Sequence, residues 1–486
     1  MSRSVVTTEP ADTAGPRPAP PSAPAGPTGR SGSGPLAAVL AAVGVPMFMV
    51  TLDNLVVTTA LPVIRTELGA SLTDLQWFVN GYTLPFAALL LTAAALGDRI
   101  GRRRLFLAGI TLFTIASAAC ALATEPWILT AARAVQGAAG AAVMPLSLTL
   151  LAAAVPDRLR NAAVGIWGGI SGLGVAVGPL VGGAVTEGLD WSWIFWLNVP
   201  VGLVAVLLVT TVLRESRGPA GRLDPLGLVL SAAGMLALIW GVVNGEDRGW
   251  TSTAVTGTIL GGLVLLAAFV LWEHRTPTPM LPPHLFRSRG FSLVNAVAFT
   301  FSLGVFGSVF LLAQYFQVAQ GLSPIAAGIR TMPWTMAPML VAPLAGLVVG
   351  RLGPRVLIVT GQMLLAIALG WLALVSTVEA GYGALAVPLA LAGVGMGLTF
   401  APMSTATLAS VPSEAQGIAS GTYNTIRELG VAVGVAVLAS VFAGQGDYTT
   451  PASFVDGLRP AVAVGALVVA VGAVLALLLP GPHRTR

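Results

Sequence analysis

The chain has 486 residues, of which 55% are hydrophobic and only 9% are charged, against about 25% charged residues in soluble domains, so lipid must solvate most of it. Its net charge of +5 includes 25 basic side chains, all of them arginine. Because the sequence has no lysine, ATP hydrolysis by a phosphate-binding loop and Schiff-base catalysis are both excluded.

The N-terminal segment differs from everything after it. Residues 1–36 contain eight prolines among Ala, Gly, Ser and Thr, without the apolar run of a signal peptide, so we predict a disordered cytoplasmic tail. Fourteen apolar segments follow, each about 20 residues long, as a hydrocarbon core of about 30 Å requires. They lie near 37–60, 76–96, 104–123, 127–154, 161–184, 194–213, 225–243, 254–272, 291–317, 324–349, 354–377, 384–408, 415–443 and 458–480.

The arginines fall mainly on one side of the predicted membrane. With a cytoplasmic N-terminus, the cytoplasmic segments hold 19 arginines, whereas the opposite loops hold Arg65, Arg248 and Arg459 with ten acidic residues. Cytoplasmic loops carry an excess of basic residues, so this split predicts that both termini are cytoplasmic and the number of spans is even. Membrane topology explains these scattered arginines, and no nucleic-acid partner is expected.

Residues with redox or metal chemistry are scarce. The single cysteine, Cys120, lies in an apolar segment, so no disulfide can form within the chain. The three histidines, His274, His284 and His483, lie in polar connections or in the C-terminal tail. We therefore expect no metal site, no cofactor and no nucleophile–base arrangement of an enzyme.

The fifth predicted span is rich in glycine. Its notable residues are Gly165, Gly174, Gly178, Pro179, Gly182 and Gly183. Three of these glycines follow one another at intervals of four residues, so they share one face of a helix. A glycine face allows the backbone to approach a neighbouring helix closely, and the proline predicts a kink. The pattern indicates a helix that packs tightly and bends.

Two parts of the first half of the sequence recur in the second. LGVAVG occurs at 173–178 and again at 429–434, while GDRIGRRRL at 97–105 has a degraded copy, VGRLGPRVL, at 349–357. The fifth span therefore corresponds to the thirteenth, and the loop after span 2 corresponds to the loop after span 10. The chain is built from two related halves.

The repeat also sets the domain boundaries. Residues 37–213 form the N-terminal six-helix half, and residues 291–480 form the C-terminal half. Between them, 214–290 hold a linker with two inserted transmembrane helices, and 481–486 form a cytoplasmic tail. Parallel repeats of six spans are typical of transporters whose binding site lies between the halves.

Six segments carry a family resemblance. They are TLDNLVVTTALP (51–62), LGDRIGRRR (96–104), RAVQGAAGAA (133–142), the glycine segment (165–183), IFWLNVPVG (194–202) and QGLSPIAAGIRTMP (320–333). The chain resembles the fourteen-span drug:proton antiporters of the major facilitator superfamily (EmrB/QacA type). This implies an all-α polytopic membrane protein of two six-helix halves plus two inserted helices, with 14 transmembrane helices and cytoplasmic termini. The resemblance also implies export driven by a proton gradient without ATP.

Asp53 is the first candidate for proton coupling. It lies about 13 Å inside the first span, where a carboxylate is costly and rare in the absence of a function. Arg133, in the outer third of span 4, could pair with ionised Asp53 and release it on protonation, and the resemblance implies a proton-coupling role for this arginine. The alternatives are a structural hydrogen bond for Asp53 and a fixed salt bridge or a snorkelling side chain for Arg133.

Arg427 and Glu428 lie near the middle of span 13. Because adjacent helical residues point about 100° apart, we expect the two side chains to be poorly placed to neutralise each other. Glu428, where the family often has glutamine, is a candidate for a second protonation site or for attracting cationic substrates. Arg427 is a coupling residue or a packing anchor.

The loop between spans 2 and 3 carries Asp98, Arg99, Gly101, Arg102 and Arg103. Asp98 can attract an arginine or a helix N-terminus, and Gly101 permits a tight turn. The resemblance implies a cytoplasmic gate that holds the halves closed, although its usual first glycine is replaced by alanine here. The alternative for the arginines is ordinary positive-inside charge.

Aromatic and methionine side chains on several spans suggest an adaptable pocket. The candidates are Trp77, Tyr82, Trp334, Met336, Phe400 and Tyr423. We predict a proton-coupled antiporter of the bacterial inner membrane, monomeric, that exports hydrophobic or cationic small molecules by alternating access. The alternatives are a dedicated exporter of one host metabolite or self-made antibiotic, and a non-transporting receptor or scaffold with this fold.

Overall fold

A computed structural model describes residues 1–2, 4, 36–70, 72–218, 224–277 and 279–480. The predicted tails, 1–36 and 481–486, lie almost entirely outside these residues, so their organisation stays a prediction. Within the described ranges the regular structure is helical. The helices are α1 (Leu36–Leu68), α2 (Leu72–Ile100), α3 (Arg102–Ala121), α4 (Pro126–Ala154), α5 (Asp157–Gly188), α6 (Trp193–Trp196), α7 (Asn198–Val212), α8 (Pro225–Val243), α9 (Gly245–Arg248), α10 (Thr253–Arg275), α11 (Arg289–Val318), α12 (Pro324–Leu352), α13 (Pro354–Val375), α14 (Tyr382–Ala409), α15 (Gln416–Ala443) and α16 (Pro451–Leu477).

The number of spans depends on α5. Thirteen helices of the described chain are long and apolar enough to cross a membrane. The long helix outside this set is α5, which carries the glycine segment and whose 32 residues give a length of about 48 Å. Fourteen spans therefore remain a prediction that requires α5 to cross the bilayer.

Two glycine turns confirm the internal repeat. Gly101, between α2 and α3, has φ 124°, and Gly353, between α12 and α13, has φ 79°. Side chains disfavour these backbone conformations, so glycine is required in both turns. The two residues correspond in the repeated sequences, as expected if both loops make the same turn.

Helix packing follows the same repeat. In the first half α1 packs along α5, and in the second half α11 packs along α15. The halves meet along two seams, α5 against α12 and α2 against α15, which the repeat relates to each other. Each seam therefore joins a glycine-rich helix of one half (α5 or α15) to the helix of the other half that precedes the repeated glycine turn (α12 or α2).

The inserted helices cover only one of these seams. α8 and α10 pack against each other, and α8 also contacts α2 and α15. Gly262 permits the close pairing of α8 with α10, because a Cβ there would lie 2.7 Å from the backbone nitrogen of Leu238. We call the end of the bundle where α2 leads into α3 the basic end, since Arg99 and Arg102 lie there.

Candidate functional site

Asp53 and Arg133 form a buried ion pair inside the first half. Nη1 of Arg133 lies 2.5 Å from Oδ2 of Asp53, and both side chains are 1% exposed. Nε of the same guanidinium donates to the Phe78 carbonyl at 3.2 Å. The pair joins α1 to α4 and holds α4 against α2. The two predicted coupling residues are therefore direct partners in this conformation.

Three further polar side chains complete the network around the carboxylate. Oδ1 of Asp53 accepts from the Asn198 amide at 2.7 Å and from the Gln136 amide at 2.9 Å. Both amides also donate to the Ser117 hydroxyl, at 2.9 and 3.2 Å. With Arg133, Asp53 thus has three charge-assisted donors, which satisfy an ionised carboxylate. Taking up a proton would break the ion pair and displace at least one donor.

Gln136 and Asn198 were not among the residues predicted from the sequence. Both lie inside segments that carried the family resemblance, RAVQGAAGAA and IFWLNVPVG, and both are amides in otherwise apolar runs. A polar residue buried in a membrane span needs a partner, and that signal could have identified them. Their shared partner could not be predicted, because they lie on different helices.

The Tyr82 ring packs against the Arg133 guanidinium of this ion pair. The Arg133 guanidinium carbon lies 4.3 Å above the centre of the Tyr82 ring and 5.9 Å from that of Phe195. Tyr82 stacks on Phe86, with the ring centres 5.6 Å apart. Its hydroxyl is buried without a hydrogen-bond partner, and its ring also lies within electrostatic range of Glu428. Tyr82 therefore stands between the two sets of buried charges.

The structure contradicts the expectation that Arg427 and Glu428 are poorly placed to neutralise each other. Nη2 of Arg427 donates to Oε1 of Glu428 at 2.8 Å. The arginine side chain is long enough to fold back toward the neighbouring position, so the 100° angle between the Cα–Cβ bonds does not separate the charges. The guanidinium also lies 5.2 Å from the centre of the Phe400 ring and 3.1 Å from Sδ of Met144.

Several buried polar atoms around these charges have no hydrogen-bond partner. They include the Tyr82 hydroxyl, the Trp334 indole nitrogen and Oδ1 of Asn424, whereas the Tyr423 hydroxyl lies within hydrogen-bonding reach of Ser404 and Arg427. An unpaired polar atom away from water is costly, so such atoms call for a ligand or ordered water. They come from helices of both halves, as expected for a site between the halves.

The predicted pocket residues do not form one set. Phe400 stacks on Trp167 with 6.2 Å between ring centres, and it contacts Arg427 on α15. Met336 lies on α12 and is partly exposed. Trp77 lines a different space, an open groove of about 870 Å³ at the end opposite the basic end, between α2, α4, α8 and α10. Which face of α2 meets the inserted helices depends on tertiary packing, which the sequence pattern of α2 does not specify.

The glycines of α5 permit two close helix contacts. A Cβ at Gly165 would lie 2.7 Å from the Ala342 carbonyl oxygen on α12. Cβ atoms at Gly174 and Gly178 would lie 3.0 and 2.7 Å from the Cβ atoms of Thr51 and Leu55 on α1. α5 thus packs tightly against both halves. Pro179, Gly182 and Gly183 lie farther along the same continuous helix, and the side chain of Pro179 lies outside the described part of the structure.

Asp98 closes the α2–α15 seam at the basic end. Its Oδ1 accepts from Nε of Arg102 at 2.7 Å, and its carboxylate accepts from the Ile418 backbone amide in the first turn of α15. Arg102 also donates to the Glu414 carbonyl at 3.3 Å. Asp98 thus has both kinds of partner that the sequence suggested. A Cβ at Gly417 would lie 2.5 Å from Cγ of Asp98, so glycine is required for this approach.

The other arginines of this loop have different contacts. Arg103 donates to the Thr210 carbonyl at 2.6 Å, and its backbone amide donates to Glu215 at 2.9 Å. These contacts lie within the first half and its adjoining linker, so Arg103 does not bridge the halves here. Arg99 donates to the Pro279 carbonyl at 3.3 Å, next to the inserted helices.

The sequence matches the model of the Major Facilitator Superfamily over residues 44–435. The chain belongs to the Major Facilitator Superfamily. Members of this superfamily are membrane transporters and not enzymes. The match extends into both halves and includes the ion pair on α1 and α4 and the Asp98 contact with α15.

Curated relatives carry names of resistance and export proteins. The chain is 37% identical over 406 residues to "Multidrug resistance protein Stp" of Mycobacterium tuberculosis, covering 83% of this chain and 75% of that protein. It is 34% identical over 428 residues to "Tetracenomycin C resistance and export protein" of Streptomyces glaucescens, covering 87% and 79%. Among solved structures, the human organic anion transporter MFSD10 (TETRAN) matches with a TM-score of 0.65 at 16% identity, over 91% of this chain and 100% of that one. That last likeness concerns the fold alone.

Proposed function

We propose that this transporter is a proton-coupled antiporter that exports hydrophobic or cationic small molecules by alternating access. The observation that carries the proposal is the buried carboxylate of Asp53, which has Arg133, Gln136 and Asn198 as donors. An ionisable residue inside a membrane bundle is expensive and usually functional. The names of the relatives support export of small molecules.

The Asp53–Arg133 pair has two states, one with Asp53 ionised and one with Asp53 protonated. With Asp53 ionised, Arg133 is neutralised and α1 is held to α4. When a proton reaches Asp53, the attraction disappears and Arg133 keeps its charge, so the guanidinium must find other partners. The nearest are Oε1 of Gln136 at 2.7 Å and the Phe78 carbonyl at 3.2 Å, followed by the Tyr82 and Phe195 rings. Proton binding thereby biases the helix arrangement of the first half.

We assign this conformation to the state closed toward the cytoplasm. Contacts between the halves at the basic end support the assignment: Asp98 meets the first turn of α15, and the Ser420 hydroxyl donates to the Pro145 carbonyl at 3.1 Å. The excess of arginine at this end supports a cytoplasmic location. In this assignment α5 crosses the membrane and brings the number of spans to fourteen. Both termini are cytoplasmic, and the protein lies in the bacterial inner membrane.

The substrate site in this proposal lies between the halves, where Tyr82, Trp334 and Asn424 have unpaired polar atoms. Apolar and aromatic walls suit hydrophobic molecules, and the unpaired groups would orient their polar atoms. Glu428, whose side chain is 16% exposed, would attract a cationic group. No cofactor is needed, because the proton gradient supplies the free energy.

A dedicated exporter of one self-made antibiotic is the second candidate. The name of the Streptomyces glaucescens relative favours it. An efflux panel separates the two: the chain is expressed in drug-sensitive cells without their own pumps and challenged with lipophilic cations, neutral dyes and aromatic antibiotics. Export of several classes supports the multidrug antiporter, and export of one class supports the dedicated exporter. Export of none would contradict both.

A further inference from the structure

Two carboxylates lie together at the basic end of the inserted helices, away from the sites described above. Asp224 precedes α8 and Glu273 lies in the last turn of α10; they are 7% and 3% exposed. A Cβ added at Gly227 would lie 2.6 Å from Oδ2 of Asp224 and 2.7 Å from Oε1 of Glu273. The two oxygens are therefore close neighbours, and the side chains are within hydrogen-bonding reach of each other.

Hydrogen-bond donors reach only some of the oxygen atoms of these two carboxylates. Asp224 accepts from the Gly227 amide and from the Trp272 indole, each at 2.9 Å. Oε2 of Glu273 accepts from the Leu281 amide at 2.9 Å, and the Met280 amide also lies within reach of this carboxylate, but Oε1 is buried without a well-aligned donor. The atom facing Oε1 is a carboxylate oxygen, which offers no hydrogen unless one of the two groups is protonated.

Among the residues that the structure describes, no basic side chain forms an ion pair with either carboxylate. Asp224 is the charged side chain that acts on Glu273, while His274 and Arg275 on the same turn are exposed. Arg99, from α2, donates to the Pro279 carbonyl. Two adjacent buried carboxylates cannot both ionise without a large cost, so one proton belongs to the pair as a whole.

We propose that Asp224 and Glu273 bind one shared proton, which fastens the connection between α10 and α11 to the end of the inserted pair. The proton completes a carboxyl–carboxylate hydrogen bond, leaving Oε2 of Glu273 to hold Leu281. Two residues before Leu281, the Pro279 carbonyl accepts from Arg99 beside the α2–α15 seam. Loss of the proton at high pH leaves two repelling charges, which loosens this connection and its contact with Arg99. The site is independent of Asp53 and of export.

The purified full-length chain in lipid nanodiscs tests this without any transport assay. The wild-type thermal unfolding midpoint should fall between pH 6 and pH 8.5, because the shared proton is lost as the pH rises. Glu273→Gln, whose amide can donate to Asp224, should remove most of this pH dependence, whereas Glu379→Gln on an exposed loop should keep it. If the wild-type and Glu273→Gln slopes are equal, the pair does not share a proton.

A second readout follows the connection itself and guards against a folding defect. Trypsin can cleave after Arg275 and Arg287, which flank it. Relative to a reporter peptide, wild-type cleavage should be about threefold faster at pH 8.5 than at pH 6.5, since local opening exposes both sites. Asp224→Asn, which also removes one charge, should give pH-independent cleavage. A pH-dependent rise that persists in Asp224→Asn would overturn the proposal.

Discussion

The Asp53 carboxylate and the Arg133 guanidinium are in contact at 2.5 Å, and each side chain is 1% exposed. Removing one partner of a buried pair leaves an uncompensated charge, a change that typically costs about 3–5 kcal/mol. A reversible proton on Asp53 imposes a related imbalance on Arg133. In the proposed mechanism, the pair connects proton binding to helix rearrangement.

Asn198→Ala should move the pH profile of efflux. The Asn198 amide donates to Asp53 at 2.7 Å and thus favours the ionised carboxylate. A hydrogen bond to a charged group contributes about 1.5–3 kcal/mol, so its loss should move the profile to higher pH by about one unit. The measurement is initial efflux rate against cytoplasmic pH. Asn295→Ala removes a buried amide that donates to the Phe291 carbonyl on α11, and its profile should match the wild type.

Asp98→Asn should loosen the basic end. It removes the charge that accepts from Arg102 and from the first turn of α15. In a Cys120→Ala background, a cysteine at Ser420 reports on opening of the α2–α15 seam. Loss of charge-assisted bonds worth about 1.5–3 kcal/mol should speed maleimide labelling there by about tenfold. Asp157→Asn is the matched control, because Asp157 pairs with Arg160 at the same end on an 87% exposed side chain. Equal labelling in all three proteins would mean that Asp98 does not hold the α2–α15 seam closed.

Gly165→Ala should weaken the α5–α12 seam. The added Cβ would lie 2.7 Å from the Ala342 carbonyl oxygen, and helix backbone cannot yield as a side-chain end can. Overpacking of this kind costs about 1–3 kcal/mol, so the unfolding midpoint and the efflux rate should both fall. Gly257→Ala adds the same atom where nothing lies within 4 Å, and it should leave both unchanged. An unaffected Gly165→Ala protein would mean that close packing at this seam is dispensable.

Glu428→Gln should change substrate preference. The substitution keeps the shape of the side chain but removes the charge that neutralises Arg427 at 2.8 Å. Export of cationic substrates should fall relative to neutral ones, because the proposed substrate site gains net positive charge. Efflux rates for a cation and a neutral analogue of similar size give the ratio. An unchanged ratio would remove Glu428 from the substrate site.

Most of the fold follows from composition and periodicity. Apolar length located the thirteen helices that are long and apolar enough to cross a membrane, because it depends on local sequence alone. The division into two halves, which rests on the repeated segments, stays a prediction. The pairing of Asp53 with Arg133 was also foreseeable, since a deep charge needs an opposite charge.

Two features depend on contacts between distant segments, and a third depends on a side-chain conformation. Asn198 and Gln136 meet Asp53 from separate helices, so neither could be placed beside it in advance. The position of Trp77 depends on where the inserted helices pack. Finally, the Arg427–Glu428 pair depends on a flexible side chain and not on helix geometry.

Substrate accumulation driven by a pH gradient in the purified protein tests the central claim most directly. In proteoliposomes, an imposed pH gradient should drive accumulation of a transported substrate in the wild type without ATP. Asp53→Asn should abolish this accumulation while retaining exchange of labelled for unlabelled substrate, because the substrate site lies elsewhere. Accumulation by Asp53→Asn at the wild-type rate, or wild-type transport indifferent to the pH gradient, would contradict the account.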